Sequence, residues 1–288
     1  MKYIDTHCHI QFNEYKNDAG EVISRALGEN VAMITVGANQ ETSARGVEWA
    51  EKIPDGLWAA VGLHPTHLFD GEIGEQVEGE TIAYKTGEEK FDHNFYKNLC
   101  ASKKVVAVGE VGLDYWHKPS GISDKDFRRR QAEAFGEEIA LAKELNLPLI
   151  LHLRPSSWNS DDAYEDCFNI LKNAGARGVL HCYAGKLETA KKFLDLGYYL
   201  GFTGIITFPP QKVAPILETL AYAPLDKILS ETDAPYLSPA PYRGKRNEPA
   251  YVKYVVEKIA EIKGMDQENV ARELFKNATG LFKIYVKS

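Results

Sequence analysis

The chain has 288 residues, an apolar content of 44% and a formal net charge of −7. That length suits one large domain over residues 1–288, and an α/β barrel takes about 250 residues. The acidic charge argues against a protein that coats duplex nucleic acid through a broad basic face, although bound divalent cations supply positive charge locally. Four scattered cysteines without a Cys-x-x-Cys pair are typical of reduced thiols and argue against a zinc knuckle.

The sequence carries no segment typical of membrane insertion. The first residues lack a basic region followed by an apolar stretch and a cleavage site. No apolar run approaches the ~18 residues of a membrane helix. We therefore expect a cytoplasmic protein with no signal peptide and no membrane partner, present as a monomer or a weak oligomer.

Short apolar runs rich in β-branched residues alternate with helical patterns along the chain. Continuous hydrophobicity of this kind is typical of parallel strands that are buried on both faces. The predicted strands lie at 2–8, 31–36, 57–63, 105–109, 148–152, 178–182, 198–202 and 227–231. The predicted helices lie at 19–29, 40–52, 92–102, 124–146, 161–174, 186–196, 211–221 and 248–263, and 266–286 is a helical tail.

Eight strands alternating with eight helices indicate a (β/α)8 TIM barrel. The alternative is a doubly wound open sheet, but that fold binds ligands at one switch point, whereas polar residues here follow most strands. The fourth helix is the clearest, and Asp124 is a candidate for its N-cap. Residues 70–91 interrupt the alternation with an acidic stretch. We interpret them as an inserted hairpin in the third βα loop, a solvated loop rather than a substrate lid.

The first predicted strand ends in a histidine pair. His7 and His9 are separated by one residue, and residues i and i+2 of an extended strand point to the same side. The pair therefore presents two imidazoles in one direction, as a metal site requires. The alternative interpretation is two exposed polar residues on an edge strand.

Further ionisable residues lie at the ends of later strands, and in a barrel these ends converge on one mouth. Any one of them alone is explained by a structural hydrogen bond or a salt bridge. Burying four histidines and two carboxylates together without cations is costly, so the set predicts two divalent metals. The six predicted ligands are His7, His9, Glu110, His152, His181 and Asp233.

The chain order of these residues suggests how they share the metals. We expect one metal on the histidine pair and Asp233, and the second on His152 and His181. Glu110 lies in the middle of the set and is expected to bridge the two metals, which such a carboxylate holds roughly 3.5–4 Å apart. A water between the metals is acidified towards neutral pH and becomes the nucleophile, with Asp233 as its general base.

The motifs around these residues resemble the TatD family of metal-dependent deoxyribonucleases, in the amidohydrolase superfamily. They are DTHCHIQF, VGLHP, VAVGEVGLDYW, PLILHLR, VLHCYAG and ETDAPYLSPAPYRGKRNEP, in order over nearly the whole chain. The resemblance implies a (β/α)8 barrel, two divalent metals and, by motif position, the same six ligands. Many superfamily relatives bridge their metals with a carboxylated lysine, and Glu110 takes that place here. Residues 70–91 and 117–123 look longer than the family usually carries.

Other residues near the predicted metals are candidates for binding substrate. His64 follows the third strand and either binds a phosphate, orients a ligand or is structural. Arg154 follows the fifth strand, and a guanidinium matches phosphate bidentately. Trp116 and Tyr236 either stack on bases at the rim or anchor loops. A compact basic loop, solvated or phosphate-binding, supplies Arg243, Lys245 and Arg246.

The leading functional interpretation is a two-metal phosphodiesterase acting on DNA, because a loop-built mouth suits single strands or frayed ends better than long duplex. The alternative is an amide or ester hydrolase, and the resemblance extends to deacylation of D-aminoacyl-tRNA. A non-catalytic metal-binding scaffold is a third interpretation, which is weak because every predicted ligand is present. Four histidines favour Zn, Mn, Co, Ni or Fe as the bound metals, while the resemblance associates nuclease activity with Mg.

Overall fold

The computed structural model describes residues 1–77 and 80–285. Its strands are β1 (Tyr3–Cys8), β2 (Val31–Val36), β3 (Leu57–Val61), β4 (Gly71–Val77), β5 (Glu80–Thr86), β6 (Val105–Asp114), β7 (Leu149–Arg154), β8 (Gly178–Leu180), β9 (Tyr199–Phe202) and β10 (Ile228–Ser230). Its α-helices are α1 (Ala19–Gly28), α2 (Gln40–Lys52), α3 (His93–Leu99), α4 (Asp124–Glu144), α5 (Asp162–Leu171), α6 (Leu187–Asp195), α7 (Pro210–Tyr222), α8 (Val252–Lys263) and α9 (Gln267–Phe282). Short 3₁₀ helices lie at Asn13–Tyr15, Pro65–Leu68, Gly204–Thr207, Leu225–Lys227 and Pro249–Tyr251.

Eight parallel strands form one sheet in the order β1-β2-β3-β6-β7-β8-β9-β10, with helices between them. The sheet curls into a nearly closed barrel where the chain after β10 runs beside the end of β1. There the Asp233 N–H donates to the His7 carbonyl and the His9 N–H donates to the Ala234 carbonyl, each at 2.8 Å. The (β/α)8 prediction is confirmed. Closure also brings predicted ligands from the first and last strands side by side.

The barrel interior is filled by alternate residues of its strands, because successive side chains of a strand point to opposite faces. Ile4, Ile34 and Ile150 belong to this interior cluster and are almost fully buried. The apolar face of α9 packs on the same cluster. Asn277 of α9 donates to the Ile228 carbonyl at 3.0 Å, at the start of β10. The predicted tail helix therefore covers the end of the barrel away from the carboxyl ends of the strands.

The insertion after β3 forms the expected hairpin, in which β4 and β5 pair antiparallel. The turn at 78–79 lies outside the described residues. Arg130 of α4 ties the base of the hairpin to the barrel wall, because its guanidinium donates at 2.7 Å to both the Leu68 carbonyl and the Glu88 carboxylate. Among the described residues, no helix is both long and apolar enough to cross a bilayer.

The N-cap of α4 lies one residue earlier than predicted. Ser123 is extended, and its hydroxyl accepts from the Asp126 N–H at 3.1 Å. Asp124 is the first residue of the helix, so the prediction that it caps the helix is wrong. A serine hydroxyl three residues before a free N–H satisfies that donor directly, which leaves Asp124 to contribute only its charge to the first turn.

Candidate metal centre

The carboxyl ends of the barrel strands bring all six predicted ligands together, with His64 beside them. Three sets of nitrogen and carboxylate atoms there each lie within 4.8 Å of one another. Most of these side chains are buried, and water therefore compensates little of their charge and polarity. The three sets are His7, His9 and Asp233; His7, Glu110 and His181; and His64, Glu110 and His152.

The histidine pair is oriented as the sequence predicts. His7 Nε2 and His9 Nε2 lie 3.2 Å apart, and Asp233 Oδ1 is 3.9 Å from the first and 3.4 Å from the second. A cation that binds two imidazoles tetrahedrally at about 2.0–2.1 Å holds their nitrogens about 3.3 Å apart. His9 Nδ1 donates to the Val36 carbonyl at 2.7 Å, which leaves the Nε2 lone pair directed into the cluster. This donor set fits a divalent cation.

Asp233 reaches the cluster through an unusual backbone conformation. Its φ is +59°, a left-handed conformation that aspartate tolerates better than most residues because its short side chain bonds locally. Although burial acts in the opposite direction, His181 holds the pKa of Asp233 below its usual value. The carboxylate is therefore ionised at neutral pH.

Glu110 lies within β6 rather than at its end, because that strand continues five residues beyond the predicted boundary, to Asp114. Its Oε2 is 3.5 Å from His7 Nε2, while its Oε1 accepts from His152 Nδ1 at 3.0 Å. The two oxygens therefore face two different sets of histidines. Burial acts to raise the pKa of Glu110, but His7 and His64 hold it well below its usual range.

A buried carboxylate orients His181. Glu231 Oε2 accepts from His181 Nδ1 at 2.8 Å and from the Cys182 N–H at 3.0 Å. The opposite ring nitrogen, Nε2, lies 3.5 Å from Asp233 Oδ1. A Cβ at Gly201 would meet the Glu231 carboxylate at 2.4 Å, so only glycine on β9 leaves room for it. A carboxylate that accepts a hydrogen bond from a metal-binding histidine fixes both the tautomer and the ring orientation of that histidine.

His152 lies between two carboxylates. Its Nδ1 donates to Glu110, and its Nε2 donates to Asp114 Oδ2, each at 3.0 Å. Burial alone lowers the pKa of an imidazole, yet hydrogen bonds to Asp114 and Glu110 raise the pKa of His152 to about 9. Sequence reasoning gave Asp114 no role. Asp114 stands four residues after Glu110 in the motif VAVGEVGLDYW, and this shared motif is the sequence signal that could have identified it.

The tautomer of His64 is the reverse of that of His9 and His181. The Thr66 N–H donates to His64 Nδ1 at 3.3 Å, and the Thr66 hydroxyl lies 2.7 Å from the same nitrogen, so we assign Nδ1 as an acceptor without a proton. Burial and the neighbouring His152 lower the pKa of His64 well below its usual value, which keeps the ring neutral. The proton of the neutral ring therefore sits on Nε2, 3.8 Å from Glu110 Oε1. This nitrogen is a hydrogen-bond donor facing the cluster.

The histidines fall into groups that differ from the predicted sharing. The His181 ring stacks on the His7 ring at 3.5 Å, and His64 packs against His152 with centroids 4.1 Å apart. The structure thus places His181 with the first-strand pair and His64 with His152. The division of ligands between two metals stays a prediction, as do the individual ligand roles.

The sequence profile described as "TatD related DNase" matches residues 4–283. The chain belongs to the TatD family. It is 42% identical to "Uncharacterized metal-dependent hydrolase YabD" of Bacillus subtilis, over 97% of this chain and 98% of that one. It is 31% identical to "3'-5' ssDNA/RNA exonuclease TatD" of Erwinia tasmaniensis, over 97% and 99% of the two chains. The crystal structure of YJJV, a TatD homologue of Escherichia coli, superposes with a TM-score of 0.78 at 28% identity, covering 99% of each chain.

Two buried side chains hold the loop after β10 of this TatD barrel, and sequence reasoning missed both. Asp5 of β1 accepts from the Thr232 N–H at 2.8 Å and from its hydroxyl at 2.5 Å. Asn247 donates to the carbonyls of Thr232 and Tyr236, at 2.9 and 2.7 Å. Both residues lie in motifs quoted above, at positions where a polar side chain is fully buried. Together they fix the backbone that presents Asp233.

The predicted substrate-binding cations of the TatD barrel have different surroundings. The Arg154 guanidinium lies 5.4 Å from the Trp116 ring centroid, and the Arg243 guanidinium lies 3.4 Å from that of Phe208. Lys245 is exposed. Arg246 donates to both carboxylate oxygens of Asp18, at 3.0 and 2.5 Å, and to the Glu14 carbonyl. The structure therefore gives Arg246 an intramolecular partner, and substrate binding by these residues stays a prediction.

Proposed function

We propose that this TatD family hydrolase cleaves phosphodiester bonds of DNA, on single strands or at ends, with two divalent metals held by the cluster. The observation that carries the proposal is the position of Glu110, whose two oxygens face two separate sets of histidine nitrogens. The relative named as a single-stranded DNA and RNA exonuclease supports the substrate class. A cytoplasmic location and a monomeric or weakly associating state remain predictions.

The ligand set suits this chemistry. When bound, divalent cations in such a site lower the pKa of a water and neutralise charge on the phosphate. His7, His9 and His181 are the nitrogen donors for them, as is His152 once a cation displaces one of its two ring protons, and Glu110 and Asp233 are the oxygen donors. Histidine-rich sites favour Zn, Mn, Co, Ni or Fe, whereas Mg prefers oxygen ligands, so the metal bound on purification and the metal of highest activity need not be the same.

Asp233 is the residue we assign as general base. Its carboxylate is ionised at neutral pH, and 16% of the side chain is accessible to solvent at the mouth of the barrel. It takes a proton from the attacking water and returns it to the leaving oxygen of the cleaved phosphodiester. A positioned carboxylate of this kind contributes about 10²–10⁴-fold to a hydrolysis rate.

His64 is suited to hold a non-bridging phosphate oxygen. Its Nδ1 is occupied by the Thr66 N–H, and its Nε2–H faces the cluster beside Glu110. A neutral donor there stabilises negative charge on the phosphate without competing for a cation. Arg154 and the basic loop at Arg243, Lys245 and Arg246 are the proposed contacts for neighbouring phosphates.

The proposal is tested with end-labelled oligonucleotides and metal replacement. The purified protein is stripped with a chelator, reloaded separately with Mg, Mn, Co, Ni or Zn, and incubated with single-stranded, blunt duplex and overhanging DNA. We expect metal-dependent shortening of single strands and overhangs that exceeds cleavage of blunt duplex. D-aminoacyl-tRNA and small ester substrates are assayed in parallel with every metal. Hydrolysis of these substrates without cleavage of any DNA would contradict the proposal.

A further inference from the structure

Two tryptophans are exposed next to each other at the mouth of the barrel. Trp116 follows β6 and is 39% exposed, while Trp158 lies in the loop between β7 and α5 and is 83% exposed. Their ring centroids are 5.3 Å apart, with the planes at 65°. Single exposed apolar residues are common on protein surfaces, but adjacent large aromatic rings mark interaction sites. Neither the metal ligands nor the barrel core account for this pair.

Trp116 is linked through Asp114 to the candidate metal centre. Asp114 Oδ1 accepts from the Trp116 N–H at 3.0 Å, while its Oδ2 accepts from the candidate ligand His152. The backbone of Trp116 is therefore fixed by a carboxylate that also contacts a candidate ligand.

A guanidinium completes the surface. Arg154 is the last residue of β7 and pairs with Asp114 across the sheet. The Tyr115 N–H donates to the Arg154 carbonyl at 2.8 Å, which fixes the backbone of Arg154 beside that of Trp116. The Arg154 guanidinium lies 5.4 Å from the Trp116 ring centroid. The three side chains thus combine two aromatic rings with one cation.

We propose that Trp116, Trp158 and Arg154 form a subsite for an unpaired nucleobase and the phosphate next to it. The inference rests on the proposed phosphodiesterase function and adds the reason for a preference for single strands, since a paired base has no free face to stack. Trp158 exposes most of its ring area, and stacking on an indole tolerates every base because each base has a π-face. Arg154 meets the negative charge that accompanies every nucleotide. An uncharged aromatic ligand would stack on the indoles but would make no charge interaction with Arg154.

The test compares normal oligonucleotides with oligonucleotides that carry abasic sites. The abasic strand keeps the length and the phosphates but has no base to stack. We expect Trp158→Ala to raise KM for the normal strand by roughly 5- to 150-fold, the usual effect of losing one stacked base. KM for the abasic strand should stay unchanged, and Trp158→Phe should retain most of the wild-type affinity. The matched control is Tyr222→Ala, which removes another exposed aromatic ring, on α7, and should leave both KM values unchanged.

Two further measurements separate this inference from the proposed function. A phosphorothioate oligonucleotide, which resists cleavage, should quench the tryptophan fluorescence of the wild type, and Trp158→Ala should lose most of this quenching. Hydrolysis of a small phosphodiester reporter should be the same in wild type and Trp158→Ala, which shows that the variant is folded and active. DNA cleavage with equal KM for normal and abasic strands would overturn the subsite and leave the nuclease proposal standing. Base-dependent quenching without any DNA cleavage would support the subsite and overturn the nuclease proposal.

Discussion

The cluster of predicted metal ligands and the basic loop at 243–246 both lie on the carboxyl-terminal side of the barrel strands. The partners of their charged groups, however, are of opposite kinds. In the cluster, the predicted ligands are held in place by buried carboxylates, as Glu231 holds His181 and Asp114 holds His152. In the loop, Lys245 is exposed, while Arg246 forms an ion pair with Asp18. The difference shows that a dense run of charges in sequence says little about function until the partner of each charge is known.

The energetic contrast between the two regions is equally large. Ionisable groups that are buried together destabilise a fold unless cations or hydrogen bonds compensate their charges. Binding of metal cations by the cluster would supply such compensation. Partly exposed ion pairs contribute little to stability and are screened by salt. Substitutions in the cluster should therefore abolish chemistry, whereas substitutions in the loop should change binding and stability modestly.

The largest expected effect is at Glu110. Glu110→Gln keeps the shape of the side chain but removes the charge that serves two sets of ligands. We expect fewer than two metals per chain and almost no DNA cleavage, measured by elemental analysis and an oligonucleotide assay on the same sample. Two tightly bound metals with wild-type turnover would exclude Glu110 as the bridge.

Asp233→Asn comes next. The amide still offers an oxygen to a metal but accepts no proton, so kcat should fall by roughly 10²–10⁴-fold. The measurement is kcat at saturating metal, with metal content determined in parallel. A wild-type rate with both metals bound would rule out the assignment of Asp233 as base.

Glu231→Gln tests the groups that hold the ligands rather than the ligands themselves. Loss of the Glu231 carboxylate should weaken metal affinity or activity by about 10–100-fold, because His181 is no longer held in one tautomer. Titration of the stripped protein with metal measures the change. Glu268→Gln is the matched control, since that carboxylate forms an exposed ion pair with Lys2. Equal affinities in the two variants would show that Glu231 does not position the site.

The smallest effects are expected in the basic loop. Lys245→Ala should raise KM for DNA and reduce the slope of log affinity against log salt by about one unit or less. Arg246→Ala should in addition lower the free energy of unfolding by about 1 kcal/mol, since it loses the ion pair with Asp18 and the contact with the Tyr15 ring. Salt-dependent binding and thermal unfolding measure the two effects. Unchanged stability in Arg246→Ala would show that the ion pair does not support the fold.

The barrel and the position of its site were predictable because they depend on local patterns. Buried strands read as continuous apolar runs, and the residues at their ends meet at one mouth in any barrel, which placed His7, Glu110 and Asp233 together. The groups that orient these ligands were not predictable. Glu231 and His181 are 50 residues apart, and Asp5 and Thr232 are 227 residues apart, so their hydrogen bonds exist only after the sheet closes.

Three local details also escaped sequence reasoning. The continuation of β6 to Asp114 depends on pairing with β7, in which Gly112 lies opposite His152. The tautomer of His64 depends on one backbone N–H that approaches its ring. The partner of Arg246 is 228 residues away in sequence. In each case a neighbour distant in sequence or the exact path of the backbone decides the role of the side chain.

The central claim is that one cluster holds two metals and that both are needed for cleavage of DNA. The most direct test is to titrate the stripped wild-type protein with one metal while measuring the bound metal per chain and the rate of single-strand cleavage in the same samples. The account predicts saturation at two metals per chain, with the rate rising as the second site fills. Full activity at one metal per chain, or cleavage in the stripped protein, would contradict it.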